Sequence, residues 1–90
     1  MTFNPLRVPK RLQKKLRTKP EPTRRAIAGC LRQLEDDPFH PGLRTKKMGG
    51  RGGNIFESRA SRGDRVTWFW DGPRIVIEDH CKHDIVEGRG

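Results

Sequence analysis

The chain has 90 residues and a formal net charge of +9, with 31% hydrophobic and 34% charged residues. A chain this short buries only about 60–65% of its unfolded surface, so residues 1–90 are expected to form a single domain with a modest core. The charge excludes a neutral or acidic surface and favours polyanionic partners: nucleic acid first, then an anionic membrane surface or an acidic protein.

The positive charge is concentrated in the first third of the chain. Residues 1–34 contain ten cations and a single acid, Glu21, whereas the remaining residues contain ten of each. A basic helix face is often only solvated, but this excess is larger than ordinary surface balance. The sequence therefore predicts that this segment attracts RNA, while any chemistry lies further along the chain.

Two helices are predicted in this basic segment. Pro9 suits a first helical position, and Leu12 and Leu16 lie four residues apart on one buried face. The second helix is expected to begin within Pro20–Thr23 and to end at about Asp36. Its buried stripe consists of Ile27, Cys30, Leu31 and Leu34. The two helices are expected to form an antiparallel hairpin.

Alternating apolar residues then predict a β-meander. The predicted strands are Leu43–Met48, Ile55–Ala60, Arg65–Trp70 and Arg74–Asp79, with a short final pairing at Ile85–Val86. Pro5 argues against a strand at Thr2–Val8, so residues 1–8 and 87–90 are expected to be flexible or weakly ordered. The predicted class is α+β: an N-terminal helical hairpin packed on one face of an antiparallel sheet of about four strands.

Alternation places Glu57, Arg59 and Arg65 on the sheet face that the helices leave uncovered. The two arginines lie on adjacent strands of one hairpin, so they can converge on a phosphate, whose oxygens a guanidinium binds two at a time. The alternative is a pair of solvated arginines, paired with Glu57 across the strands. Phe69 lies on the same face and can stack on a base, whereas the two tryptophans of its strand are predicted to be core.

Two histidines, His80 and His83, follow the last long strand. Histidine is the usual proton donor or acceptor near neutral pH, although a loop histidine often makes only a turn contact. A zinc site is not predicted, because the remaining soft ligands, Cys30 and His40, lack metal-site spacing around Cys81. No metal or other cofactor is expected.

The cysteine count and hydropathy predict a cytoplasmic protein. Two cysteines do not form a disulfide framework, so both thiols are expected to be reduced. The sequence contains no segment long and apolar enough to span a membrane and no recognisable secretory signal, so no membrane association is expected.

The order of these segments resembles the RelE/ParE superfamily of bacterial toxins from type II toxin–antitoxin systems. The resemblance covers about Pro22 to Val86. It is carried by Leu34-Glu-Asp-Asp-Pro38, His40-Pro-Gly-Leu-Arg-x-Lys-Lys-Met48, Ile55-Phe-Glu-Ser-Arg59, Arg62-Gly-x-Arg65-Val and His83-Asp84. A histidine after the last strand makes the chain more similar to the RelE-like mRNA endonucleases than to the gyrase-poisoning ParE branch.

The resemblance implies an endoribonuclease that inhibits translation by cutting mRNA in the ribosomal A site without a metal. The 2′-hydroxyl would attack the adjacent phosphate, with Lys46 or Glu57 helping to deprotonate it. Arg65, assisted by Arg59, would stabilise the pentavalent phosphate, and His83 would protonate the leaving 5′ oxygen. The expected RNA and ribosome contacts are Lys10, Arg11, Lys14, Lys15, Arg44, Lys47, Arg62, Phe69 and His80.

The resemblance also implies partners. We expect an acidic or amphipathic antitoxin, besides the 70S ribosome and mRNA, with the chain monomeric alone and hetero-oligomeric with its antitoxin. Two alternatives stay open. A ParE-like inhibitor would block DNA gyrase and leave RNA intact, and a non-catalytic basic module would bind RNA without cutting it.

Overall fold

The computed structural model describes residues 3–48 and 54–82. The predicted final pairing at Ile85–Val86 lies outside these residues. In chain order, the described elements are β1 (Leu6–Arg7), α1 (Lys10–Arg17), α2 (Glu21–Asp36), a 3-10 helix (Pro41–Leu43), β2 (Lys46–Lys47), β3 (Ile55–Ser61), β4 (Asp64–Asp71) and β5 (Arg74–Lys82). The α+β class with a helical hairpin before the sheet is confirmed.

Prolines set the starts of both helices. Pro9 and Pro20 are the N-cap residues of α1 and α2, with ψ near 150°, which is extended rather than helical. Proline is tolerated at a helix start because the first backbone N–H groups have no intrahelical partner. Helix α2 ends where predicted, and Asp37 after it is extended, as expected for a residue that precedes a proline.

The sheet contains one strand more than predicted. Its order is β1-β5-β4-β3-β2, with β1 parallel to β5 and the other neighbours antiparallel. Pro5 does not prevent β1, because its carbonyl accepts a hydrogen bond from the Ile75 N–H at 2.8 Å. An edge strand needs no donor at that position. Asn4 also donates to the Glu35 carbonyl at the end of α2. The structure thus contains a short parallel strand where the sequence argued against one.

Strand lengths differ from prediction at two places. The segment predicted as Leu43–Met48 is mostly the 3-10 helix and a two-residue strand, β2. Strand β5 continues three residues beyond the predicted Asp79, through Lys82. The register between β4 and β5 shifts between Thr67 and Trp68, so Asp79 pairs with Thr67 although Ile77 pairs with Trp68. This β-bulge leaves Glu78 without a partner on β4.

The core lies between the helices and one face of the sheet. It combines Leu12 of α1 and the α2 stripe with the inward residues of the central strands, namely Ile27, Cys30, Leu34, Leu43, Val66, Trp68, Ile75 and Ile77. Burial raises the pKa of the Cys30 thiol to about 12, so this cysteine is an unreactive core residue. The predicted core assignment of Cys30 and Trp68 is confirmed.

A buried hydrogen-bond chain fastens Trp68 to the segment before β2. Trp68 Nε1 donates to Ser58 Oγ at 2.9 Å, and Ser58 and Thr45 share a hydroxyl bond at 2.7 Å. Thr45 Oγ1 donates to the Pro38 carbonyl at 2.6 Å, so it accepts from Ser58. The chain satisfies the indole N–H and the Ser58 hydroxyl, which would otherwise be costly to bury.

The β4–β5 turn supplies the first testable prediction. Gly72 has φ +62°, a left-handed conformation that an L side chain adopts at a cost of about 1–2 kcal/mol. Gly72→Ala is expected to lower the free energy of unfolding by about 1 kcal/mol in urea titrations. Gly63→Ala is the matched control, because the other hairpin glycine lacks a positive φ and has open space at its Cβ position. Equal losses in the free energy of unfolding for the two variants would contradict the left-handed conformation of Gly72.

Candidate functional site

The sheet face opposite the helices, here called the open face, carries four of the five predicted catalytic residues. Strand pairing aligns Lys46 of β2 with Glu57 of β3, and Glu57 with Thr67 of β4. In the next row, Arg59 pairs directly with Arg65. Directly opposed residues have Cβ atoms about 4.5–5.5 Å apart. The structure therefore brings Glu57, Arg59 and Arg65 together, as the alternation predicted, and adds Lys46 beside Glu57.

Lys46 and Glu57 form an ion pair across β2 and β3. Lys46 Nζ lies 3.6 Å from Glu57 Oε1, and the two side chains are 66% and 16% exposed. The carboxylate is thus held within the face, while the ammonium remains near solvent. Both groups had been predicted as alternative bases for a 2′-hydroxyl. An ammonium has no lone pair to accept a proton, so Glu57 is the better acceptor of this pair.

Arg65 is held at one end of its guanidinium. Its Nη1 donates to the carbonyls of Ser61, Arg62 and Asp64 at 2.7, 3.2 and 3.1 Å. These carbonyls belong to the turn between β3 and β4 and to the first residue of β4. All three bonds described for this side chain use Nη1. Among the described residues the Nε–H and Nη2–H edge has no hydrogen-bond partner, and such an edge can bind two oxygens of one phosphate.

The pairing of Arg59 with Arg65 favours an anion between them. Like charges directly opposed on adjacent strands are destabilising. The described residues provide Arg59 with no carboxylate within ion-pair distance, whereas Arg25 and Arg74 each pair with an acid. A phosphate bound between the two guanidinium groups would relieve this repulsion. The face therefore has the electrostatics of an anion site.

His80 is not on the surface that was predicted to bind RNA. It pairs with Val66 on the core side of the sheet and is only 3% exposed. Simple alternation from Ile75 and Ile77 would place His80 on the open face. The bulge at Glu78 reverses this parity. The prediction that His80 contacts RNA directly is therefore wrong.

His80 instead binds a buried aspartate that the sequence analysis did not single out. Asp64 Oδ1 lies 2.8 Å from His80 Nε2 and 3.2 Å from Lys82 Nζ, and Ser61 Oγ donates to Oδ2 at 2.7 Å. Burial raises the pKa of Asp64, but the hydrogen bonds from His80, Ser61 and Lys82 outweigh it and lower the pKa to about 2. Because the carboxylate can only accept, His80 Nε2 carries the proton.

This shift predicts a pH dependence of stability. A carboxyl whose pKa is lower in the folded state stabilises the fold above its unfolded pKa, and that contribution is lost as pH falls from about 4 to 2. Asp64→Asn is expected to lower the free energy of unfolding by about 2 kcal/mol at pH 7, and by much less near pH 2. Asp71→Asn is the matched control, because Asp71 ends the same strand and forms an exposed ion pair. The prediction fails if urea titrations give Asp64→Asn the same loss at both pH values.

The bulge also brings Asp79 and Cys81 to the open face. Cys81 pairs with Arg65, and Asp79 pairs with Thr67. Burial raises the pKa of the Cys81 thiol, and the charges of Glu57 and Asp79 raise it further. A raised pKa makes Cys81 a poor nucleophile, so we assign it no chemistry. Neither residue could be assigned to the open face from the sequence, because no residue pattern in β5 predicts the bulge.

The cations of α1 divide into two groups. Arg11 Nη2 donates to the Glu78 carbonyl at 3.3 Å, and Lys15 Nζ binds both Asp79 Oδ1 at 2.7 Å and the His80 carbonyl at 3.1 Å. These carbonyls lie on β5 beyond its pairing with β1, so the two cations cover that edge. The remaining predicted contacts are exposed on the surface, namely Lys10, Lys14, Arg44, Lys47 and Arg62.

Phe69 and His83 complete the predicted site. Phe69 is half-buried on the open face, where it pairs with Ile55 of β3 and Val76 of β5. His83 lies outside the described residues, so its predicted role stays a prediction. Within residues 3–48 and 54–82, no group of three side chains has the arrangement of a metal site. None of the described helices is long and apolar enough to cross a membrane.

Comparisons with known proteins agree with this architecture. No protein-family model matches the sequence, and no curated protein matches it. Solved structures do match. A YoeB/ParE toxin from Agrobacterium tumefaciens is 15% identical with a TM-score of 0.70, covering 89% of this chain and 99% of that one.

Two solved complexes contain chains of similar fold, and the first is a toxin–antitoxin complex. The RelBE2 complex from Mycobacterium tuberculosis matches with a TM-score of 0.72 and 17% identity, over 92% of this chain and 100% of that one. The archaeal RelE–RelB complex from Pyrococcus horikoshii OT3 matches with a TM-score of 0.70 and 22% identity, over 91% and 96%. At these identities the likeness establishes the fold. The predicted RelE-like fold is thus confirmed over nearly the whole chain.

Proposed function

We propose that the protein is the toxin of a RelE/ParE-type toxin–antitoxin system and cleaves mRNA on the ribosome. The observation that carries the proposal is the pairing of Arg59 with Arg65 beside the Lys46–Glu57 ion pair, on the open face of a RelE-like fold. This arrangement puts a phosphate site next to a proton acceptor. RNA cleavage by its own 2′-hydroxyl requires these two elements and a proton donor.

The chemistry starts at the 2′-hydroxyl. Glu57 accepts its proton, and the oxygen attacks the adjacent phosphorus. The P–O5′ bond then breaks, leaving a 2′,3′-cyclic phosphate and a 5′-hydroxyl. A positioned acid or base accelerates such a step by about 10²–10⁴-fold. Lys46, paired with Glu57, holds the carboxylate, and His83 donates the proton to the leaving 5′ oxygen.

The two arginines stabilise the negative charge that develops on the pentavalent phosphate. Arg65 presents its Nε–Nη2 edge because Nη1 is already bound to the turn carbonyls. Donors fixed before the reaction stabilise a transition state without reorganisation, and one such donor is worth about 3–4 kcal/mol. Arg59 opposes Arg65 across the hairpin and supplies a second charge. Phe69 lies on the same face and stacks on a neighbouring base.

The ribosome orients the mRNA for cleavage, and the exposed cations of the protein attract RNA. Lys10 and Lys14 on α1, with Arg44 and Lys47 near β2, face solvent and can meet RNA phosphates. Binding through such contacts weakens steeply as salt concentration rises. A cationic protein of this kind needs an acidic or amphipathic antitoxin to neutralise it. Similar chains in the RelBE2 and RelE–RelB structures are complexed with antitoxins, which supports this partner.

Primer extension in a purified translation system tests the proposal. We expect the wild-type protein to cut mRNA in the A site of translating ribosomes and to leave free mRNA intact. DNA supercoiling by gyrase is measured in parallel with the same preparation. Intact mRNA with blocked supercoiling would replace the proposal with a ParE-like inhibitor. Salt-sensitive RNA binding without cutting would indicate a non-catalytic module.

A further inference from the structure

A buried pair of side chains fastens the β3–β4 turn to β5. Asp64, the first residue of β4, is 6% exposed, and His80 is 3% exposed. Asp64 Oδ1 accepts from His80 Nε2 at 2.8 Å, while Oδ2 accepts from Ser61 Oγ at 2.7 Å. The carboxylate therefore joins the end of β3, the start of β4 and the far end of β5.

Arg65 is bound to the same turn from the open face. Its Nη1 donates to the carbonyls of Ser61, Arg62 and Asp64. Two of these residues, Ser61 and Asp64, are the ones that the buried carboxylate holds. The position of the guanidinium thus depends on the turn, and the turn depends on the bond between Asp64 and His80.

His80 is also held from the other side. Its backbone N–H donates to Asp79 Oδ1 at 2.8 Å, and its backbone carbonyl accepts from Lys15 Nζ at 3.1 Å. Helix α1 therefore braces the backbone that carries the imidazole. A rigid support of this kind is what a side chain needs to hold a reacting group in place.

The buried pair leaves one polar atom of His80 without a hydrogen bond to any described residue. His80 Nδ1 is buried without a hydrogen-bond partner among the described residues. An unsatisfied buried acceptor is destabilising, and an apolar side chain of similar size would avoid that cost. A purely structural contact between β4 and β5 does not require a histidine.

We propose that Asp64 and His80 are positioning residues, which fix the β3–β4 turn so that Arg65 presents its Nε–Nη2 edge to the scissile phosphate. The proposal rests on the proposed function for its effect on cleavage, but its structural part concerns Arg65 alone. Displacing a catalytic group by about 1 Å can slow a reaction by about 100-fold. Loss of the pair should therefore reduce the cleavage step more than ribosome binding.

Two His80 variants separate the hydrogen bond from the rest of the side chain. His80→Leu removes the donor to Asp64, whereas His80→Gln keeps a donor at the position of Nε2. We expect His80→Leu to lower the single-turnover cleavage rate by about 10- to 100-fold with less than a twofold change in half-saturation by ribosomes. His80→Gln should recover most of the rate. If His80→Leu does not fold, Asp64→Asn replaces it in the same measurements.

Each variant is repeated in the Arg65→Ala background. If the pair acts through Arg65, His80→Leu changes the residual rate of Arg65→Ala by less than about twofold, because residues that act as a unit are not additive. An equal fall in both backgrounds, or an unchanged rate of His80→Leu with Arg65 present, would overturn the proposal.

Side-chain NMR of the ¹⁵N-labelled full chain keeps this test independent of cleavage. The Arg65 Nε–H signal is assigned by its loss in Arg65→Ala. Because no hydrogen bond to the described residues protects this N–H, the quantity measured is its order parameter from ¹⁵N relaxation, which reports how firmly the guanidinium is held. We expect the order parameter to fall below about 0.6 in His80→Leu and to stay near the wild-type value in His80→Gln. An unchanged order parameter would refute the positioning role. Absence of cleavage by the wild type, with the order parameter changed as expected, would instead refute the proposed function alone.

Discussion

Arg65→Ala is expected to slow mRNA cleavage on the ribosome by about 10²–10³-fold. The substitution removes the Nε–Nη2 fork that faces the phosphate and leaves Arg59 as the remaining guanidinium of the pair. It also removes the bonds from Nη1 to the carbonyls of Ser61, Arg62 and Asp64. The rate is measured by primer extension under single-turnover conditions, with saturating ribosomes.

Arg74→Ala is the matched control for this loss. Arg74 lies at the opposite end of the sheet and forms an exposed ion pair with Asp71. Removing it changes the net charge by the same amount, so it reports the general effect of losing one cation. We expect it to cut at nearly the wild-type rate. Similar rates for Arg65→Ala and Arg74→Ala would show that Arg65 acts only through bulk charge.

Trp68→Ala is expected to lower the free energy of unfolding by about 3–5 kcal/mol. Trp68 is fully buried, stacks on Phe56 with ring centroids 4.7 Å apart, and donates to Ser58. Its removal leaves a cavity and also an unsatisfied chain of hydroxyl groups. A domain of this size has a total stability of about 5–13 kcal/mol, so the variant should be largely unfolded in mild urea.

Trp70→Ala provides the control in the same strand and on the same side of the sheet. Trp70 is 36% exposed and contacts Trp68 edge-on at 5.4 Å. We expect a loss of about 1 kcal/mol. Both variants are measured by far-UV circular dichroism in urea, which does not depend on tryptophan emission. A smaller loss for Trp68→Ala than for Trp70→Ala would contradict the described core.

Helices and central strands could be predicted because local chemistry determines them. Pro20 and the spacing of Ile27, Cys30 and Leu34 predict α2, and its observed start at Glu21 lies within the predicted range Pro20–Thr23. Strand β1 was underestimated for a different reason. Its two residues have no periodic pattern of their own, and they become a strand only because β5 offers its edge to them. Such tertiary context is absent from the local sequence.

The site was predictable only as far as strand parity is regular. Glu57, Arg59 and Arg65 follow strict alternation on β3 and β4, and the structure places all three on the open face. His80 does not, because one additional residue in β5 exchanges the two faces beyond it. The hydrogen bonds from Arg65 to the turn carbonyls also could not be predicted, because they depend on the rotamer of the arginine side chain rather than on the order of residues.

The measurement that most directly tests cleavage at the open face uses a chemically altered message. Ribosomes are programmed with mRNA that is either unmodified or carries a single 2′-O-methyl nucleotide at the A-site position that is cut. We expect the wild-type protein to cut the unmodified mRNA and leave the methylated one intact, because the 2′-oxygen no longer has a proton to lose and cannot attack. Equal cutting of both messages would contradict attack by the 2′-hydroxyl, and cutting of neither would contradict the nuclease itself.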